Sequence, residues 1–255
     1  MTQFKLKLGN TSGPVTHFFH GFMGSHSDWL SIIDPLLEKY LCVLWDLPGH
    51  GQSSLPSAPN QLFKHFFQDA PQADFYVGYS MGGRIASWLA MQEGVELKGL
   101  FLESAHLGLE STQEKELRRA SDSKLLENIQ TSDDLLSFLN NWYANPLWGN
   151  LNQAPDYAQF IESKKMNQLE GWKAALKYYG LGEQPGTRNF WQHSVIPICY
   201  LSGELDLKYM EIARSLPKRA DFNRHEIVNA GHNTKFTEPD QFTEKLLEFL
   251  KKYSP

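Results

Sequence analysis

The chain has 255 residues, 41% of them hydrophobic and 21% charged, and a formal net charge of −5. That length suits one or two domains, and α/β folds of this size are often single units. With 24 Lys and Arg against 29 Asp and Glu there is no basic footprint for nucleic acid, so an anionic partner would have to be met by locally placed cations. The longest apolar run, Val195–Leu201, falls far short of the roughly 18 residues that suggest a membrane span. Met1–Asn10 alternates apolar residues with Lys5 and Lys7 and lacks the apolar block of a signal peptide. Cys42 and Cys199 lie in apolar runs and offer neither a disulfide framework nor a CxxC pair. A cytoplasmic, globular protein is expected, with no membrane association, no metal, no cofactor and no obligate protein partner.

In chain order, Phe4–Leu8 suggests an antiparallel edge strand. Short aromatic or β-branched runs predict strands at Val15–Phe19, Cys42–Asp46, Phe75–Gly78 and Leu97–Glu103. Helices are predicted between them at Trp29–Tyr40, Gln61–Phe67 and Gly82–Glu93. Strands separated by helices imply βαβ crossovers and a mostly parallel sheet. From about Ala105 to about Phe190 no segment reads as a strand. Polar helical stretches (Thr112–Gln130, Asp133–Tyr143, Ala154–Gln168, Trp172–Tyr179) alternate there with breaks such as Asn145-Pro146 and Gln184-Pro185-Gly186. Strand character returns at Ile196–Leu201 and Arg224–Val228, and Asp240–Lys252 closes the chain as an amphipathic helix. The expected architecture is an α/β core of residues 1–104 and 191–255, with residues 105–190 inserted as a helical lid. No internal repeat or low-complexity segment is present.

Three motifs carry chemistry. Gly78-Tyr79-Ser80-Met81-Gly82 matches G-x-S-x-G, with a predicted strand before it and a predicted helix after it. Such a turn needs glycines because neighbouring Cβ atoms would clash, and it aims a helix N-terminus at charge forming near the serine. His20-Gly21-Phe22-Met23-Gly24 follows the strand Val15–Phe19, where a loop would supply a second oxyanion donor. The two donors are expected to be the amides of Met81 and Phe22. The chain order Ser, acid, His points to Asp206, in Ser202-Gly203-Glu204-Leu205-Asp206, and to His232, in Asn229-Ala230-Gly231-His232-Asn233. Both follow predicted strands, at the carboxyl ends where α/β sheets gather their catalytic groups. Glu204 is a rival acid. His17, His65, His193 and His225 offer no comparable context. Each motif alone could be an ordinary turn, and it is their conjunction in order that is specific.

On these residues the chain resembles an α/β-hydrolase-fold protein from near Val15 to its end. Within that superfamily it is similar to the family of 2-succinyl-6-hydroxy-2,4-cyclohexadiene-1-carboxylate synthases of menaquinone biosynthesis. The segments carrying the likeness are His20-Gly21-Phe22 with Asp28-Trp29, and Trp45-Asp46-Leu47-Pro48-Gly49-His50-Gly51-Gln52-Ser53. To these are added Gly78 to Arg84, His106-Leu107-Gly108-Leu109, Trp142-Tyr143 with Pro146, and the loops bearing Asp206 and His232. The D-x-P-G-x-G and elbow elements occur in many hydrolases and bear on fold. Tyr79, Arg84, Arg118 and Gly231-His232-Asn233 discriminate further.

The resemblance implies elimination of pyruvate from a substrate with three carboxylates, Ser80 serving as the proton-abstracting group with His232 and Asp206 behind it. It also implies cations in the site. Arg84 lies one helical turn after Ser80. Arg118 and Lys164, or Lys165 with a one-residue slip, match carboxylate-binding positions of the family. Residues 105–190 hold nine Lys and Arg against eleven Asp and Glu, so any recognition there depends on placement. Tyr79, Trp142, Tyr143 and Trp148 are candidate pocket walls, and His106 reads as a turn residue after a strand. A serine esterase or carbon–carbon hydrolase would use the same triad on a covalent path, and a non-catalytic binding protein could retain the fold.

Overall fold

The computed structural model describes residues 3–55, 70–165, 169–216 and 220–254. The predicted helix Gln61–Phe67 lies outside them. Strands β1 (Lys5–Gly9), β2 (Val15–Phe19), β3 (Leu41–Trp45), β4 (Phe75–Tyr79), β5 (Gly99–Glu103), β6 (Ile198–Gly203) and β7 (Phe222–Ile227) form a 7-stranded sheet in the order β1-β3-β2-β4-β5-β6-β7. β1 pairs antiparallel with β3, placing Lys5 opposite Trp45, and every other pairing is parallel. Every residue of β3, β4, β5 and β6 is buried. Parallel strands covered on both faces read as continuous apolar runs, which is why the sequence marks them so clearly.

The strand order positions the site. From β2 the chain moves outward to β3, then crosses back to β4 on the other side of β2. The loops leaving β2 and β4 therefore diverge from neighbouring carboxyl ends, with Phe19 opposite Gly78. Such a switch point opens a crevice.

Helix α1 (Met81–Ala90) follows β4, and α9 (Pro239–Tyr253) closes the chain. α9 buries Phe242, Leu246, Phe249 and Leu250 along one stripe, and Phe242 meets Phe101 of β5 with ring centroids 5.5 Å apart. α7 (Leu207–Ser215) follows β6, and the short α8 (Thr234–Thr237) precedes α9.

Between β5 and β6 the described residues contain no strand. They form α2 (Thr112–Lys124), α3 (Ser132–Tyr143), α4 (Tyr157–Lys165), α5 (Leu169–Tyr179) and α6 (Arg188–His193), with short 3₁₀ turns. α2 is shorter than the periodicity suggests. A capping box at Thr131 starts α3, and Asp134 also accepts the Gln130 N–H, which takes residues 125–131 off the α2 axis. α5 rests on the loop after β3 so closely that a Cβ on Gly171 would run into the Gly49 carbonyl.

The predicted helix Trp29–Tyr40 is not formed. Two 3₁₀ turns, His26–Trp29 and Asp34–Leu36, occupy the region. Pro35 lacks the N–H that a continuing helix needs and its ring obstructs the preceding turn.

Candidate active site

Ser80 links β4 to α1 with φ +50° and ψ −109°, a conformation costly for a residue with a side chain. Two backbone bonds hold it: the Ser80 N–H donates to Glu103 O at 2.8 Å, and the Arg84 N–H donates to Ser80 O at 3.1 Å. A Cβ on Gly82 would meet the carbonyls of Phe19 and His20, and one on Gly78 would lie 2.5 Å from Gly83 Cα. Gly82 therefore lets the turn close against the end of β2, and Gly78 lets it close on its own helix.

Asp206, His232 and Ser80 form one hydrogen-bonded line. His232 Nε2 lies 2.9 Å from Ser80 Oγ, and Nδ1 lies 2.7 Å from Asp206 Oδ2. With the imidazole neutral, Nδ1 donates to the carboxylate and Nε2 is left to accept the Ser80 proton. Asp206 is fully buried, and its second oxygen accepts the Tyr209 N–H at the start of α7 (3.2 Å). The rival Glu204 is exposed and caps the Asn229 N–H instead, at 3.0 Å. The imidazole is wedged among Tyr209, Trp148 and Tyr79, with centroids 4.5, 5.2 and 5.5 Å away.

Glu103, a residue the sequence did not single out, ends β5 beneath this line. Its carboxylate accepts the Thr234 N–H at 2.5 Å, the Thr234 hydroxyl at 2.8 Å and the Lys235 N–H at 3.2 Å. Lys235 Nζ lies 3.4 Å from the same carboxylate and 3.3 Å from the centroid of the Tyr79 ring. The available signal was a charged residue closing an otherwise apolar strand, since such a group has to be paired.

The His20–Gly24 loop is held by two neutral histidines. His20 Nε2 accepts the Leu47 N–H (2.9 Å), so its Nδ1 carries the proton and donates to Gly21 O (2.7 Å). His50 Nε2 accepts the Met23 N–H at 3.2 Å. Burial lowers both imidazoles from their ordinary pKa, that of His50 to about 3. His50 takes the Met23 amide and the Gly24 N–H bonds Gly21 O, so the Phe22 amide is among the loop donors that remain available. Met81 opens α1, where an N–H has no intrahelical acceptor.

Ser80, Met81 and His232 open into a cavity walled by Phe22, Tyr79, Trp142 and Trp148 and covered by Arg118, Leu147 and Leu176 from the helical segment. Three cations line it: Arg84, Arg118 and Lys208. Arg84 is only 8% exposed. Burial pulls its pKa down to about 10, which leaves it charged at neutral pH, and Nη1 donates to the neutral Gln184 at 2.6 Å. Arg118 Nε donates to Asp122, one helical turn on, at 2.8 Å. Lys208 was missed by the sequence reading, although its place two residues after Asp206 puts it at a strand's carboxyl end.

Lys164 does not line the cavity. Its buried ammonium pairs with Asp28 at 2.9 Å and sits 4.6 Å from the Phe160 ring, so α4 turns it toward the core. The neighbouring Lys165 pairs with Glu162 at 2.7 Å and is likewise absent from the lining. Tyr143 is buried behind Trp148 and Phe160, with centroids 4.8 and 4.9 Å away, and is not a wall residue. His106 accepts the Gly108 N–H at 3.0 Å. Its pKa falls to about 4 through burial and then through the positive charges of Lys208, Arg84 and Arg118.

The chain matches the alpha/beta hydrolase fold family over residues 17–239. A Haemophilus influenzae protein is 31% identical over 245 residues, covering 90% of this chain and 94% of that one. It bears provisionally the name 2-succinyl-6-hydroxy-2,4-cyclohexadiene-1-carboxylate synthase. The Yersinia pseudotuberculosis synthase of the same name is 30% identical over 250 residues, with 95% of this chain and 89% of the relative covered. In three dimensions the chain is similar to MenH from S. aureus, with a TM-score of 0.88 at 25% identity over 99% of both chains.

Proposed function

The chain belongs to the alpha/beta hydrolase fold family and, within it, groups with the 2-succinyl-6-hydroxy-2,4-cyclohexadiene-1-carboxylate synthases of menaquinone biosynthesis; on that premise we propose that it eliminates pyruvate by triad-assisted proton abstraction. The substrate is 2-succinyl-5-enolpyruvyl-6-hydroxy-3-cyclohexene-1-carboxylate. Its C2–H lies beside the succinyl ketone and is the acidic position.

Comparing substrate with product fixes the electron flow. Removing the C2 proton forms the C2=C3 bond, the C3=C4 bond moves to C4=C5, and the C5–O bond to the enolpyruvyl group breaks. The departing enolpyruvate gains a proton at carbon to become pyruvate. Ser80 Oγ takes the C2 proton as its own passes to His232 Nε2, and Asp206 stabilises the imidazolium that results. No bond to serine is needed. The enolate oxygen is held by the amides of Phe22 and Met81, where an esterase would hold a tetrahedral oxyanion.

The observation that carries this reading is the positive charge gathered over Ser80. Arg84 and Arg118 share its cavity, and Arg84 faces a neutral amide rather than a carboxylate. A neutral ester would not need them. A small tricarboxylate would, with Tyr79 and Trp142 lining its ring. Residues 105–190 serve as the lid over that substrate. No helix among the described residues is long and apolar enough to cross a membrane, and the two cysteines are free and buried, which supports a reducing, cytoplasmic setting.

The test is pyruvate release from the enolpyruvyl substrate, followed with lactate dehydrogenase and NADH. Wild-type protein is expected to turn over, and Ser80→Ala to lose at least about 10³-fold in kcat while still binding substrate. Rapid p-nitrophenyl acetate hydrolysis without pyruvate release would make the protein an esterase instead.

A further inference from the structure

A substrate with three carboxylates leaves one unaccounted for once Arg84 and Arg118 are assigned, and Lys164 is paired elsewhere. Resting on the elimination proposed above, we propose that Lys208 is the third carboxylate-binding cation of the cavity, a specificity-determining residue that never touches the reacting atoms.

Placement is the first argument. Lys208 stands in the first turn of α7 and lines the same cavity as Ser80, Arg84 and Arg118. Asp206, two residues earlier, is the N-cap of that helix and the partner of His232, so the fold that sets the triad also sets Lys208.

Charge is the second. Lys164, Lys165 and Lys173 each meet a carboxylate, at 2.9, 2.7 and 2.9 Å. Among the described residues Lys208 meets none, and its ammonium stands over the Tyr209 ring, 5.5 Å from the centroid. The nearby acids are committed: Asp122 to Arg118, and Asp206 to His232 and the Tyr209 amide. Three cations thus share one cavity with a single carboxylate paired to any of them. Burial and then the charges of Arg118 and Arg84 disfavour the protonated Lys208, with Asp206 acting the other way. An arriving carboxylate relieves that repulsion.

Lysine also suits the place. Lys208 is exposed whereas Arg84 is buried, so its flexible stem can follow a carboxylate at the rim while the guanidinium fixes one deeper in.

The experiment measures pyruvate release by Lys208→Met and Lys208→Arg beside wild type, with melting temperatures and the rate of Ser80 inactivation by the neutral reagent phenylmethylsulfonyl fluoride. Lys208→Met is expected to raise KM about tenfold, with kcat within about twofold. Lys208→Arg should restore most of the affinity, and fold stability and the inactivation rate should not move. For one of the three monomethyl esters of the substrate, wild type and Lys208→Met should have equal KM. An unchanged KM for the tricarboxylate, or a fall in kcat and inactivation rate with KM constant, would overturn the assignment. Absence of wild-type turnover would instead overturn the elimination itself.

Discussion

The buried pair between Lys164 and Asp28 gives the sharpest test of how the helical segment is used. The two side chains are 3% and 15% exposed, and Nζ lies 2.9 Å from Oδ1. Burial alone would raise the Asp28 pKa; the charge of Lys164, with that of Lys235 behind it, outweighs it and holds the carboxyl below its ordinary value. Lys164→Met strands that carboxylate. Breaking a buried pair from one side costs about 3–5 kcal/mol, and the remaining charge of Lys235 with some water access sets this case near 3 kcal/mol. For a chain of this size each kcal/mol is worth roughly 2–4 °C, so the melting temperature at pH 7 should fall by about 6–12 °C. Adding Asp28→Asn should recover most of the loss, because no charge is then left unpaired. The sign with pH follows from the depressed Asp28 pKa. The pair stabilises fully above the ordinary Asp range and its contribution disappears as pH falls through the folded-state value, so the deficit of Lys164→Met should shrink on acidification. Calorimetry from pH 7 down to pH 2 measures all three quantities. A variant that melts within 1 °C of wild type, yet shows a KM for the tricarboxylate raised tenfold or more, would refute the pairing and return Lys164 to the substrate site.

Two further outcomes are expected. Arg84→Met and Arg118→Ala should each lower kcat/KM for pyruvate release by about 10–100-fold, the worth of one or two charge-assisted hydrogen bonds, with little effect on neutral esters; equal losses on both substrates would indicate a folding role. His17 and His50 are buried with pKa values lowered to about 3 against 6.5 unfolded, so each should give stability that is complete above pH 6.5 and declines by about 1.4 kcal/mol per pH unit below it. Urea unfolding at pH 7, 6 and 5 measures that slope, and His50→Gln, which keeps an acceptor for the Met23 amide, should make it shallower; an unaltered slope would contradict the assignment.

What could be read in the sequence was whatever local sterics or chain order dictate. The elbow is legible because Gly82 is demanded by the approach of β2 and Gly78 by the first turn of α1, and the buried strands because both faces are covered. The serine, acid and histidine are each announced by a strand end, and the structure brings all three into hydrogen-bonding distance. Less legible was the direction a helical side chain faces. Lys164 and Arg118 both sit on polar helices, and no local pattern says that one turns inward to Asp28 while the other overhangs the cavity. Glu103 and Lys235 escaped for a related reason: their significance lies in partners more than 100 residues apart in the chain. The failed helix Trp29–Tyr40 was readable in principle, since Pro35 stands in its middle.

Glu103 has a consequence for the precision of the Ser80–His232–Asp206 line. Its carbonyl receives the serine's amide, and its carboxylate receives the amides that directly follow the histidine loop. Ser80 and the loop that carries His232 are thus suspended from one residue at the end of one interior strand. A displacement of β5 carries both together, so their separation is insulated from breathing of the sheet.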